Sequence, residues 1–308
     1  MLALLCGSVA ILCFRGEDLL VRRAPLSYNE DNRSRTMYLE FLGLREKPFA
    51  MTADPSFLYL SKKHREALSH MVYGVRERKG FIEITGEVGT GKTTLCKVLL
   101  RHLDPTTKTA LILQPTLSEL QLLQAVVQDF GLNPMRTNGF GLFNQLNRFL
   151  LEEAERSNNV VLIIDEAQNL SLRVLEQIRI LSNLETDKEK LIQIILVGQP
   201  QLREKLSLPA LEQLRQRIGV RYHMMPLDLD EVRTYIEHRL RVAGSDGLLE
   251  WTLDGVEEVY RCSKGIPRLI NLICDRCLLA CYVFRVKRVD GEIVRYSSRE
   301  LSGEVVVS

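Results

Sequence analysis

No stretch of this chain stays apolar for the length a bilayer demands. A spanning helix needs about 20 apolar residues, and the most apolar run, MLALLCGSVAILCF at residues 1–14, gives way to Arg15. That run also lacks the positive charge ahead of it and the small-residue cleavage site behind it that mark a secretory signal. Charge of one sign is equally scarce: 41 Lys and Arg face 39 Asp and Glu, a formal net charge of +2. Such a balance creates no field that calls for nucleic acid, a membrane surface or an acidic substrate. The five histidines are scattered, with no metal or catalytic pair among them; His64 and His70, six apart, share no helical face. Seven cysteines without framework spacing set aside a disulfide scaffold and favour reduced thiols in a cytosolic compartment. Cys274, Cys277 and Cys281 follow i, i+3, i+7 and interleave with Ile270 and Leu278 on one helical face. With no second Cys or His pair nearby to complete four metal ligands, they read as small core residues. Repeats and low-complexity segments are also missing. The remainder is that of an ordinary globular chain, 45% hydrophobic and 26% charged over 308 residues, enough for one large core or two modest ones.

What is present is a phosphate-binding loop. Residues 86–95 read GEVGTGKTTL, with the strand-like FIEIT before them and the helical KTTLCKVLLRHL after. The strand, the helix and the full Gly-four-residues-Gly-Lys-Thr spacing together make a chance glycine-rich turn a poor explanation. Gly86, Gly89 and Gly91 let the backbone N–H groups of the loop, from Glu87 and Val88 through Thr90 to Thr94, turn inward as an anion cradle at a helix N-terminus. Lys92 supplies a point charge for the β and γ phosphates of ATP, and the Thr93 hydroxyl is placed to ligate Mg²⁺. Leu95, Val98 and Leu99 form the buried stripe of the helix that opens there.

Strand-like and helix-like runs alternate after the loop, the signature of a parallel sheet with crossover helices. TALIL, VVLII, LIQIILVG and GVRYHMM read as further strands, and LSELQLLQAVVQDFGL, GLFNQLNRFLLEEAERS and SLRVLEQIRILSNLE as helices. Pro226 marks a boundary, beyond which only helical patterns follow: one capped by Asp228 and stopped at Gly244, then WTLDGVEEVYRCS, IPRLINLICDRCLLACYVF and DGEIVRYSSREL. The expected organisation is an extension at 1–36, an α/β nucleotide-binding domain over 37–225, a helical lid over 226–302 and a tail at 303–308. Met37, where the texture changes abruptly, is the expected natural start, with the apolar 1–14 segment as a short membrane anchor the competing reading.

Several residues join the loop by position. Asp165 ends the VVLII strand, expected beside the P-loop strand, where it can hold Mg²⁺ through water. Glu166 then points where it can polarise an attacking water as a general base, which implies hydrolysis rather than transfer to a small acceptor. Gln199, at the end of IILVGQP, is placed to orient that water or sense the γ phosphate. Arg215 and Arg217 precede a strand, and one of them can reach a neighbouring subunit's nucleotide as an arginine finger. Arg268 stands one step into a lid helix that Pro267 presets, from where it can fold onto the γ phosphate. Phe49, Phe57, Leu58, Tyr59 and Leu60 either wall the adenine or pack.

With these residues in hand, the chain resembles the AAA+ ATPases of the ExeA/GspA kind, associated with type II secretion and related pilus or exopolysaccharide export systems. The resemblance runs from Met37 to about residue 302 and rests on YLEFLGLREKPFAMTADPSFLYLSKKHREAL, GEVGTGKTTL, LIIDEAQNL, LVGQPQL, LRQRIGVRYHMMPL and GIPRLINLICDRCLL. It implies an AAA+ P-loop fold with a helical lid, ATP and Mg²⁺ as ligands, and the roles above for Lys92, Thr93, Asp165, Glu166, Gln199, Arg217 and Arg268. It implies ATP-dependent self-association, because a finger from one subunit completes another's site. It also implies membrane-bound secretion or export components as partners, and a cytoplasmic location peripheral to the inner membrane. Long members continue into a transmembrane segment and a periplasmic peptidoglycan-binding domain; nothing of that kind precedes Ser308, so a short cytoplasmic version is expected. The family is also similar to the ATPase subunits of transposition systems, which makes a DNA-associated regulator of transposition the alternative. The charge balance counts against nucleic acid, and Glu166 counts against a P-loop switch with negligible turnover.

Overall fold

The computed structural model describes residues 38–51, 55–113, 116–134, 139–186 and 189–302. The extension at 1–36, Met37 and the tail at 303–308 lie outside the described residues. Five strands, β1 (Phe81–Gly86), β2 (Lys108–Ile112), β3 (Val160–Ile164), β4 (Gln193–Gly198) and β5 (Ile218–Met224), form one parallel sheet in the order β2-β3-β4-β1-β5. The three central strands are buried along their whole length, as near-continuous apolar runs must be when helices cover both faces. The edge strand β5 alternates instead, with Ile218 and Val220 inward and Gly219 and Arg221 exposed.

The sheet order corrects one expectation. Asp165 does not end a strand beside the P-loop strand, because β4 lies between β3 and β1. The chain leaves β1 through α3 (Lys92–His102) for the far edge at β2, then fills β3 and β4 back toward β1. Strand order is set by these crossovers, which the local pattern of each strand does not encode.

On one face of the sheet, α2 (Lys62–Arg76) and α3 pack on Ile82, Ile84, Ile163 and Val197. On the other, α4 (Glu119–Asp129), α5 (Gly139–Glu155), α6 (Leu172–Leu181), α7 (Pro200–Leu206) and α8 (Glu212–Gln216) pack on Leu162, Ile194 and Leu196. Helix ends are marked by local chemistry. Ser118 and Asp228 each begin a helix with a reciprocal capping box, to Gln121 and Glu231.

After Pro226 come α9 (Leu229–Val242), α10 (Leu253–Ser263), α11 (Pro267–Phe284) and α12 (Gly291–Ser302). Two two-residue strands, β6 (Glu250–Trp251) and β7 (Arg288–Val289), pair in parallel among them, so this region is not helical throughout; strands so short carry no alternation to detect. Cys274, Cys277 and Cys281 are buried in its core with Ile270 and Leu278, and burial pushes the Cys277 and Cys281 thiols up to about 12.

The segment before α2 belongs to this second core as well. α1 (38–42) and the residues after it bury Tyr38, Leu42, Leu44, Phe49 and Phe57 in one cluster with Leu227, Tyr235 and Ile270. Backbone N–H of Arg45 donates to Ala243 O at 2.8 Å, and the buried Arg239 guanidinium donates to Pro48 O and Ala50 O. The start of the expected 37–225 unit therefore packs with the lid helices. Among the described residues, no helix is long and apolar enough to cross a membrane.

Candidate functional site

β1 delivers the chain to the P-loop at its C-terminal end, and α3 starts directly from the loop. Two glycines are required by backbone shape: Gly89 has φ +84° and Gly91 φ +98°, the left-handed region that an L side chain resists. Space is short as well. A Cβ on Gly89 would lie 2.7 Å from Arg268 Cβ, and one on Gly91 would lie 2.9 Å from His64 Nε2.

Lys92 is buried, and its Nζ donates to the loop carbonyls of Gly86 at 2.8 Å and Glu87 at 2.9 Å. Burial pulls its ammonium below the ordinary lysine value, opposed by the negative charges of Glu166, Asp165 and Glu87. The Thr90 hydroxyl donates to Glu87 O at 2.8 Å and holds the turn closed. Thr93 Oγ1 donates to Asp165 Oδ2, and the backbone N–H of Glu166 donates to Asp165 Oδ1 at 2.9 Å. A hydroxyl facing a buried carboxylate is a hard oxygen pair, the donor set that Mg²⁺ takes. The residues present therefore fit the metal.

Glu166 is one of the few non-glycine residues with positive φ, at +53°. Its Oε2 accepts from Gln168 Nε2 at 2.6 Å and from Gln199 Nε2 at 3.1 Å. Gln199 reaches it because β4, which Gln199 follows, lies next to β3. Gln168 sits in the 3₁₀ turn Ala167–Asn169 that follows β3.

A cleft of about 570 Å³ opens above the loop and takes in Val88 to Thr94, Glu166, Arg268, His64, Tyr59 and Arg239. Phe57, Leu58, Tyr59 and Leu60 line it, whereas Phe49 is buried edge-to-face against Trp251. The aromatic run thus divides between wall and core. Arg268 comes from the first turn of α11, whose backbone N–H donates to Gly89 O at 3.3 Å, so the lid meets the P-loop at this residue. Arg217 lies elsewhere: its guanidinium donates to Ser182 Oγ at 3.0 Å and to Asn183 Oδ1, after α6, and it is not among the cleft residues. Arg215 is exposed, and its carbonyl accepts from Arg221 at 2.6 Å.

The loop residues, Asp165, Glu166, Gln199 and Arg268 are thus brought together, while Arg217 and Arg215 stand apart from their own chain's cleft. Two participants escaped the sequence. His64 is buried against the loop, with Nε2 at 2.9 Å from Thr90 O and Nδ1 at 2.8 Å from Ser61 Oγ. The carbonyl can only accept, so Nε2 carries the proton and Nδ1 takes the Ser61 hydroxyl. Gln168 was the other. The Ser-x-x-His pattern at a helix start was the available signal for the first; for the second there was only its place two residues after Glu166.

Residues 75–206 match the family model described as an AAA domain. The chain is 43% identical over 268 residues to general secretion pathway protein A of Aeromonas hydrophila, a match that covers 87% of this chain and 49% of that protein. The chain therefore spans about half the length of this curated relative. Among solved structures, Aeropyrum pernix ORC2 superposes with a TM-score of 0.59 at 19% identity, covering 83% of this chain and 71% of that one. Drosophila ORC bound to DNA gives a TM-score of 0.62 at 17% identity, over 93% and 70%. The Thermotoga maritima RuvB Holliday junction branch migration motor gives 0.52 at 19%, over 85% and 73%. At such identities these three speak for the fold alone. The chain carries an AAA domain on a P-loop fold and, over the 268 residues the two share, is a relative of general secretion pathway protein A.

Proposed function

We propose that the chain binds ATP with Mg²⁺ and hydrolyses it to ADP and phosphate in an assembly of several copies, as the ATPase of a secretion, pilus or exopolysaccharide export complex. The observation that carries hydrolysis is Glu166: its carboxylate lines the cleft and is held by two amide donors, an orientation suited to taking a proton from an attacking water. The amides of residues 86–94 cradle the phosphates, and Lys92 places its charge at the β and γ positions. Thr93 and Asp165 would hold Mg²⁺, whose chemistry here is to neutralise phosphate charge. Gln199 shares its amide between Glu166 and the incoming γ phosphate. Arg268 bridges lid and P-loop, so lid angle follows nucleotide state.

Arg217 acts in the site of a neighbouring copy. Its attachment to Ser182 and Asn183, away from its own cleft, supports a role in trans. The 43% identity to general secretion pathway protein A supports export-complex components at the inner membrane as partners and a cytoplasmic location beside them. The net charge of +2 does not favour a nucleic-acid partner.

The test is ATP turnover by the full chain across a protein concentration series, with Glu166→Gln as control. Specific activity is expected to rise with concentration, and the variant to trap ATP in a larger assembly. Flat activity that survives the substitution would remove both Glu166 and the shared site.

A further inference from the structure

The side-chain amide of Gln168 is tied at both ends, to Glu166 and to the end of β4. Its Nε2 donates to Glu166 Oε2 at 2.6 Å, and its Oε1 accepts from the backbone N–H of Gln199 at 3.1 Å. The turn that carries it is pinned in turn by α7: Lys205 Nζ donates to the carbonyls of Gln168 and, at 2.8 Å, of Leu170. The end of β4 is shaped around the same side chain. A Cβ on Gly198 would lie 2.7 Å from Gln168 Oε1, although Gly198 is not one of the positive-φ glycines. Its lack of a side chain makes room for the amide and for Leu202, whose Cδ2 would lie 2.9 Å from the same Cβ.

We infer that Gln168 is a positioning residue for hydrolysis, fixing the Glu166 carboxylate relative to the end of β4 so that the base keeps its orientation when Gln199 turns toward the γ phosphate. The inference rests on the reading of Glu166 as the base. The two glutamines differ in the freedom left to them. Gln199 holds Glu166 through its side-chain amide at 3.1 Å, whereas Gln168 makes the shorter bond and has its carbonyl end engaged as well. The donor that remains with Glu166 is therefore Gln168. A base misplaced by about 1 Å loses on the order of a hundredfold in rate, so a side chain whose work is to prevent this affects turnover and leaves ground-state nucleotide binding alone.

The experiment places Gln168→Ala and Gln168→Glu in the full chain, each in the wild-type and in the Glu166→Gln background. Gln168→Glu keeps side-chain length and the acceptor for Gln199 and replaces the donor with a carboxylate oxygen that repels Glu166, which covers a turn destabilised by alanine. Two readouts are taken: Mg²⁺-free binding of a fluorescent ATP analogue, and single-turnover hydrolysis at saturating MgATP. Expected are a fall in hydrolysis of about tenfold or more in the wild-type background, binding unchanged within about twofold, and no further fall when Glu166 is already Gln, since a residue acting through Glu166 has nothing left to act on. An equal fall in both backgrounds, or a loss of binding that matches the loss of rate, would overturn the inference. If Glu166→Gln removes hydrolysis while both Gln168 variants keep it, the inference alone fails. Should Glu166→Gln hydrolyse like the wild type, the reading of Glu166 fails and this inference falls with it.

Discussion

A buried ammonium without a carboxylate in contact is costly, and Lys92 is in that position: its hydrogen bonds go to the carbonyls of Gly86 and Glu87. Burial lowers its pKa while Glu166, Asp165 and Glu87 act only at a distance. The folded chain thus carries a poorly solvated charge, and on the proposed reading part of the interaction with ATP is relief of that desolvation. A consequence separates binding from folding. An apolar side chain of similar length removes that desolvation cost but leaves the Gly86 and Glu87 carbonyls without the donor, so Lys92→Met is expected to melt close to the wild-type temperature without nucleotide, yet to lose the upward shift that ATP gives the wild type. Differential scanning fluorimetry with and without MgATP reads both. A variant that melts well below the wild type without nucleotide would mean that Lys92 is structural.

At the scale of elements, the P-loop is held from outside by α2 as much as by its own strand and helix. His64 bonds Thr90 O through Nε2–H, and a Cβ on Gly91 would press on the same ring. Burial pushes this imidazole below its ordinary value, with the nearby Lys63 lowering it and the Thr90 carbonyl and Glu231 raising it. The unfolded chain therefore takes up a proton before the folded one does. Stability from the neutral ring is fully present above the ordinary value of about 6.5 and is lost as pH falls through the lower folded value. His64→Gln keeps a donor for Thr90 without a titrating group. Melting temperatures measured from pH 7.5 down to about 5 are expected to fall more steeply for the wild type than for this variant; parallel slopes would remove His64 as the origin. The grouping of Lys92, Thr93, Asp165 and Glu166 around one loop was legible because a phosphate-binding pattern fixes residue types at short spacings. The brace from α2 was not, since it joins residues 26 apart through a ring whose neighbours only the fold determines. The same holds for β4 between β3 and β1, and for the 38–57 segment, whose apolar residues match the lid core more than 170 positions later.

At the scale of the whole molecule, the proposed role of Arg217 in trans would leave the cleft of one copy incomplete. The cations of that cleft are Lys92, Lys97 and Arg101 from α3 and Arg268 from α11, with Arg239 committed to Pro48 O and Ala50 O. Arg217 is fixed on the surface beyond α6, where Ser182 and Asn183 hold the guanidinium. If that guanidinium serves a neighbour's γ phosphate, the two halves of the site can be supplied by different chains. Arg217→Ala keeps its own Glu166 and offers no finger, while Glu166→Gln keeps the finger and lacks the base. Each alone is expected to be slow, the first by about 10³-fold or more, as for fingers elsewhere. Mixed in equal amounts at assembling concentrations, they form some junctions in which an intact base meets an intact finger, so turnover is expected to rise above the sum of the separate variants and to fall again on dilution. Arg215→Ala in place of Arg217→Ala decides between the two arginines, since only loss of the finger creates a defect that a partner can repair. Mixtures that never exceed the sum, at concentrations where assembly is verified by sedimentation, would confine hydrolysis to single copies and leave Arg217 as a tether between α8 and the end of α6.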